Sequence, residues 1–221
     1  MRTFVYIDGF NLYYRMLKGS PKLKWLNPKQ LASDLLSPAN KVERVCFYTA
    51  RISPRPSDPN APARQAIYLK ALASVPEIRV HTGSFLTSEV WMPLTQPPEA
   101  RPKVYNWSQP LPKAVRVVKT EEKGTDVSLG AHLVRDAFTN MFDVAVVLTN
   151  DSDLIEPIRI AVQDAKKTVG LFAPVEHPNQ GLKAVVSFCR HVRKQHLSKA
   201  QFPDPVVLPD GSLVTRPSSW R

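Results

Sequence analysis

Five acids in this sequence stand where acids are costly or closely spaced. Asp8 closes the short apolar stretch "TFVYI" at residues 3–7, and Asp151 and Asp153 follow the apolar run "VAVVL" at residues 144–148, one residue apart. Glu122 and Asp126 stand four apart in "KTEEKGTDVSLG". Taken singly, several have a structural reading. Asp151 or Asp153 would cap a helix beginning at Leu154, Asp126 would cap another, and Glu122 would be an exposed member of an "EEK" patch. Asp8 fits that reading least, because a carboxylate ending a buried strand needs a partner.

Taken together the acids suggest a cation site. Like charges within a few ångström raise each other's pKa unless a metal neutralises them. The five histidines are scattered and neither cysteine has ligand spacing, so the donors are hard oxygens, which select Mg²⁺ or Mn²⁺. Such an ion lowers the pKa of water and stabilises charge on phosphate oxygens, which is the chemistry of phosphodiester hydrolysis.

The elements that would bring these residues together are those of an α/β protein. Strands are expected at residues 3–7, 42–50, 77–86 and 144–148 and in "KTVGLFA", with helices at residues 11–18, after Asn27-Pro28, and at 63–74, 126–139, 154–165 and 181–193. This alternation predicts a Rossmann-like three-layer α/β/α fold with a mainly parallel central sheet. Ligand sites in such sheets lie beyond the carboxyl ends of the strands, near the point where strand order reverses. If the strands ending at Asp8 and Leu148 are neighbours, Asp8, Asp151 and Asp153 share one rim. Glu122 and Asp126 would join it from one face at the start of a helix.

Residues 87–118 interrupt the alternation as a Pro-rich insertion, read as a hairpin or lid, and residues 196–221 form a Pro-rich tail with a short hairpin signal at Asp210-Gly211. Residues 1–195 then make one sizeable α/β domain. In the insertion, Trp91, Tyr105 and Trp107 beside Arg101 and Lys103 would stack and clamp single-stranded bases, or else pack the insertion onto the core. Thirty Lys and Arg against nineteen Asp and Glu give a net charge of +11, which favours a polyanionic partner, nucleic acid first. The apolar runs are far shorter than the roughly 20 residues that span a bilayer. No membrane association and a cytoplasmic location are therefore expected, with Cys46 and Cys189 as reduced core thiols.

Four blocks also carry a family resemblance: "YIDGFNLYY" at 6–14, "ARQAIYLKAL" at 63–72, "KTEEKGTDVSLGAHLV" at 119–134 and "VAVVLTNDSDL" at 144–154. Together they resemble the NYN domain family, a branch of the PIN-like nucleases, over about residues 1–195. The resemblance implies a compact Rossmann-like sheet, an acidic metal pocket and ribonuclease activity. Carried over by position, Asp8, Asn11, Glu122, Asp126, Asp151 and Asp153 match the family's site, with Asn11 orienting Asp8 or a water. Arg64 and Gln65 would meet substrate phosphate, as would Lys119, Lys123 and Ser152. The sequence departs at Asn150, where the family usually has Gly, which would narrow the space for a phosphate.

The expected function is thus metal-dependent hydrolysis of RNA, with single-stranded DNA as a second candidate substrate and a homodimer compatible with the sequence. The alternative is a nucleic-acid-binding module with little turnover. A small-molecule phosphatase of the haloacid dehalogenase type is disfavoured, because "DGFN" lacks a second aspartate two residues after Asp8.

Overall fold

A computed structural model describes residues 1–100, 103, 106 and 110–221. Seven strands form one sheet in the order β4-β3-β2-β1-β5-β6-β7. In chain order they are β1 (Arg2–Asp8), β2 (Lys41–Ala50), β3 (Ile78–Pro93), β4 (Ala114–Lys123), β5 (Val144–Leu148), β6 (Thr168–Ala173) and β7 (Phe188–His191). All neighbours pair in parallel except β3 and β4, which form an antiparallel hairpin. The central strands β1 and β5 are buried almost end to end, as a parallel sheet covered on both faces requires.

Alternation along β1 sorts its side chains between two cores. Val5 and Ile7 face a cluster with Val45, Phe47, Val146 and Leu148, whereas Phe4 and Tyr6 face one with Cys46, Tyr48, Ala145 and Val147. After the short α1 (Gly9–Leu12), which follows β1 directly, the first core is covered by α2 (Pro28–Leu35), α3 (Ala61–Ala73) and α7 (Lys194–Lys199); the second by α4 (Thr125–Phe138), α5 (Ile155–Gln163) and α6 (Gln180–Val185). The result is a Rossmann-like three-layer α/β/α fold. Helix α2 starts as its sequence dictates: Pro28 occupies the first turn, and the Asn27 side chain accepts hydrogen bonds from the amides of Lys29 and Gln30.

Three elements differ from the sequence expectation. The final helix over residues 181–193 stops at Val185, and Phe188–His191 beyond it pair as β7 with the open edge of β6, so tertiary pairing overrides the helical pattern. The third strand continues to Pro93 and pairs with β4, so the interruption is a two-stranded arm longer than the insertion it was read as. Glu122 lies on that arm, not on the helix with Asp126. Gly124, at φ 95°, makes the left-handed turn that ends β4 and starts α4.

The Pro-rich C-terminal segment carries the short hairpin β8 (Val206–Val207) and β9 (Leu213–Val214) and packs onto the first core. Trp25 is fully buried, donates its indole N–H to Pro203 O (2.9 Å), and meets the rings of Phe202, Tyr68 and Trp220. Cys46 is buried and Cys189 half-buried, both as free thiols; burial pushes the Cys46 thiol up to about 11. Among the described residues, no helix is long and apolar enough to cross a membrane.

Candidate active site

The strand order reverses between β1 and β5. Ile7 is level with Leu148, so Asp8 and the residues after Leu148 emerge side by side at the carboxyl edge. Asp8 is 5% exposed and fixed from two sides: its Oδ1 accepts from the Asn11 amide (2.9 Å) and its Oδ2 from the Thr149 hydroxyl (3.1 Å). Thr149 Oγ1 in turn accepts from the Asp151 amide (3.1 Å), tying the two acids through one hydroxyl. Burial raises the Asp8 pKa and the nearby Asp151 charge adds to it, while the bonds from Asn11 and Thr149 pull it back.

The other two acids arrive from the arm and from α4. Glu122 accepts from Thr125, through Oε1 from its amide (3.1 Å) and through Oε2 from its hydroxyl (2.6 Å), so it caps α4 from the preceding strand. Gly83 makes room for it: a Cβ there would stand 2.5 Å from Glu122 Oε1. Asp126 follows in the first turn of α4. Its carboxyl is pushed up to about 6, first by burial and then by the charges of Asp8, Asp151, Glu122 and Asp153.

Asp8, Glu122, Asp126 and Asp151 line one cleft of about 470 Å³. Its other walls are Phe10, Tyr14 and Phe85, with Arg15 and Arg55 at the rim. Phe10 stacks near Tyr14 (centroids 6.4 Å apart, planes at 27°) and meets Phe85 edge-on at 5.6 Å. Among the described residues no three His, Cys, Asp or Glu side chains close on one point as an ion cage. The donors are nevertheless all oxygen, and their charges raise the Asp126 pKa, a repulsion that a divalent cation would relieve. Mg²⁺ commonly takes one or two direct carboxylates and keeps its remaining waters, which suits such an open arrangement.

The remaining sequence candidates are placed differently. Asp153 is exposed and lies on the groove between α4 and α5; its amide donates to Asp151 Oδ1 (3.0 Å), so Asp151 is both a cap and a cleft residue. Ser152 is exposed between them. Asn11 lines the cleft beside the four acids, and its Oδ1 accepts from the Asn150 amide (3.1 Å), which also makes it a clamp between β1 and the loop after β5. The Asn150 side chain turns to the Asn179 amide (2.8 Å), away from the cleft lining. Gln65 spends both ends on backbone, at Ile52 N (3.0 Å) and Ala50 O (2.8 Å), and Arg64 pairs with Asp58. Lys119 and Lys123 pair with Glu121, one residue out of phase with Glu122 on the arm. Lys103 is exposed, and Arg101, Tyr105 and Trp107 lie outside the described residues. Sequence reasoning missed Arg15, Arg55, Phe10, Tyr14 and Phe85 as cleft residues and Thr149 as the partner of Asp8; Phe10, Tyr14 and Thr149 lay within the blocks that carry the resemblance, and Arg55 and Phe85 had no signal.

The fold and site define a Rossmann-like α/β protein with an acid-floored, arginine-rimmed cleft at its switch point. No family model matches the chain. The 6-hydroxy-3-succinoylpyridine 3-monooxygenase HspA of Pseudomonas putida (strain DSM 28022 / S16) is 26% identical over 250 residues, spanning 100% of this chain and 75% of that protein. The crystal structure of a protein of unknown function, VPA0982 from Vibrio parahaemolyticus RIMD 2210633, matches with a TM-score of 0.51 at 14% identity, covering 87% of this chain and 93% of the other. At that identity the likeness concerns the fold alone.

Proposed function

We propose that this protein is a metal-dependent nuclease of the NYN, PIN-like type that hydrolyses phosphodiester bonds within RNA. The observation that carries this reading is the meeting of Asp8, Glu122, Asp126 and Asp151 in one cleft rimmed by Arg15 and Arg55. Asp8, Glu122, Asp126 and Asp151 would hold Mg²⁺ or Mn²⁺, with Asp153 adding charge from outside the cleft. The ion would supply an activated water and neutralise charge on the phosphate. The protein's own residues do the rest. Asn11 and Thr149 hold Asp8 in the orientation that faces the cleft. Arg15 and Arg55 neutralise the phosphates that flank the bond. Phe10, Phe85 and Tyr14 offer faces and edges to bases, which fits a single strand better than a duplex whose bases are already stacked.

A second reading rests on the whole-chain likeness to a protein named as a monooxygenase of 6-hydroxy-3-succinoylpyridine. The same aromatic walls would hold a small ring, and the same arginines a carboxylate.

Cleavage of end-labelled single-stranded RNA at low salt, with Mn²⁺, Mg²⁺ or chelator, separates these readings. Metal-dependent products from the wild type and none from Asp151→Asn are expected. RNA bound but left intact under every condition would move the protein to the binding-module class. Intact RNA together with oxygen uptake, given 6-hydroxy-3-succinoylpyridine and an electron donor, would establish the oxygenase.

A further inference from the structure

The arm formed by β3 and β4 has two faces, and one of them continues the cleft wall. Antiparallel register sets Phe85 opposite Glu122, Thr87 opposite Thr120, Glu89 opposite Val118 and Trp91 opposite Arg116. Strand alternation places these four pairs on the same face. The hydroxyls of Thr87 and Thr120 meet there at 3.2 Å, and Arg116 Nη2 reaches Glu89 Oε2 at 2.6 Å.

The inner end of this face, Phe85 with Thr120 and Glu122, is cleft lining. The outer end carries Trp91, 71% exposed, and Val118, 69% exposed. Trp91 and Val118 are diagonal cross-strand neighbours on this face, and adjoining exposed apolar side chains of this kind mark interaction sites more than a lone one does. The partner most consistent with its position is whatever leaves the cleft, because Phe85 at the inner end of the same face joins Phe10 and Tyr14 in the cleft wall. Arg116 stands beside that ring, with Glu89 neutralised by it. Trp91 lies six residues beyond Phe85, or about 20 Å at about 3.4 Å per strand residue. That is the length of about six stacked nucleotides at about 3.4 Å each.

We propose that this face of the arm is a track for single-stranded RNA leaving the cleft, with Trp91 as the outer stacking platform and Arg116 as a backbone contact. The inference rests on the nuclease reading and adds a length dependence to it: RNA long enough to reach Trp91 is held more tightly than RNA that fills only the cleft.

Binding of fluorescein-labelled oligouridylates of four and twelve nucleotides, followed by fluorescence anisotropy at low salt with chelator to prevent cleavage, tests this. Trp91→Ala should weaken the twelve-mer about tenfold, the scale of one lost base stack, and leave the four-mer unchanged. Trp91→Phe should restore most of the loss, and Leu86→Ala on the opposite face should change neither. If the wild type binds the twelve-mer and Trp91→Ala binds it equally well, the track is wrong and the nuclease reading stands. If the wild type binds neither RNA, both fall. If Trp91→Ala instead halves the particle mass in light scattering, the exposed ring is a contact between copies of the chain and the track is overturned.

Discussion

Helix α4 carries a carboxylate near each end, and their surroundings are opposite. Asp136, 2% exposed, accepts from the Tyr6 hydroxyl (2.8 Å) through one oxygen and from the Arg135 guanidinium (2.7 and 2.9 Å) through the other. Asp126, ten residues earlier on the same helix, meets the charges of four other acids and has its pKa raised by them and by burial. Burial alone therefore does not mark a functional acid in this protein. What separates the two is whether the fold itself supplies the partner. Around Asp136 it does, and the group knits β1 to α4. Around Asp126 it places like charges instead.

Removing each carboxylate should move stability in opposite directions, and the larger effect is at Asp136. Asp136→Ala leaves the buried Tyr6 hydroxyl without its acceptor and Arg135 without its anion. It should lower the unfolding free energy by about 2–3 kcal/mol, seen as a lower urea midpoint with an unchanged slope. A loss under about 0.5 kcal/mol would show that water replaces the carboxylate and that the two ends of α4 are not as different as their contacts suggest.

Asp126→Asn should instead stabilise the protein, and only over part of the pH range. Its carboxyl is raised from 3.8 to about 6 on folding. The folded state therefore binds the proton more tightly than the unfolded chain, and ionisation costs stability as pH rises through that interval. The full shift corresponds to about 3 kcal/mol at about 1.36 per unit, and because the group is only half-buried, screening leaves about 1 kcal/mol. Thermal melts should show Asp126→Asn more stable than wild type at pH 8 and equal to it below pH 4. Millimolar Mn²⁺ should raise the wild-type melting temperature at pH 8 and raise that of Asp126→Asn less. Equal gains in both would remove Asp126 from the ion site.

The same contrast explains what the sequence disclosed. Asp8 was legible because a carboxylate directly after a buried apolar run needs a partner, and Asp151, three residues past Leu148, is brought beside it by the parallel pairing of β1 with β5. Asp136 looked like any polar residue of an amphipathic helix, since the Tyr6 hydroxyl that donates to it comes from a strand more than a hundred residues away. Glu122 was grouped with Asp126 at the start of a helix because the two stand four apart, whereas the left-handed turn at Gly124 separates strand from helix. Arg55 sits in a Pro-rich loop and gains its role from tertiary placement alone. The C-terminal segment has no period to read. Its aromatic anchors, Phe202 and Trp220, close on Trp25 singly rather than as a stripe.

The smallest expected effect concerns Asn150, the position that departs from the family pattern. A glycine there was expected to leave space for a phosphate, yet the Asn150 side chain leaves the cleft alone and accepts from the Asn179 amide, whose own side chain caps α6 at Leu182 N (3.2 Å). The backbone amide of residue 150 makes the contact to Asn11, and any residue can supply it. Asn150→Gly should therefore keep the Asn11 clamp and the cleft acids in place while losing one side-chain bond between the β5 and β6 loops. The cost is about 1 kcal/mol of stability, with added loop freedom contributing a few tenths more. Metal-dependent cleavage should stay within about twofold of wild type, or about 0.4 kcal/mol in barrier. A gain of tenfold or more would mean that the asparagine obstructs substrate after all, and that the loop after β5 reaches into the cleft when RNA is bound.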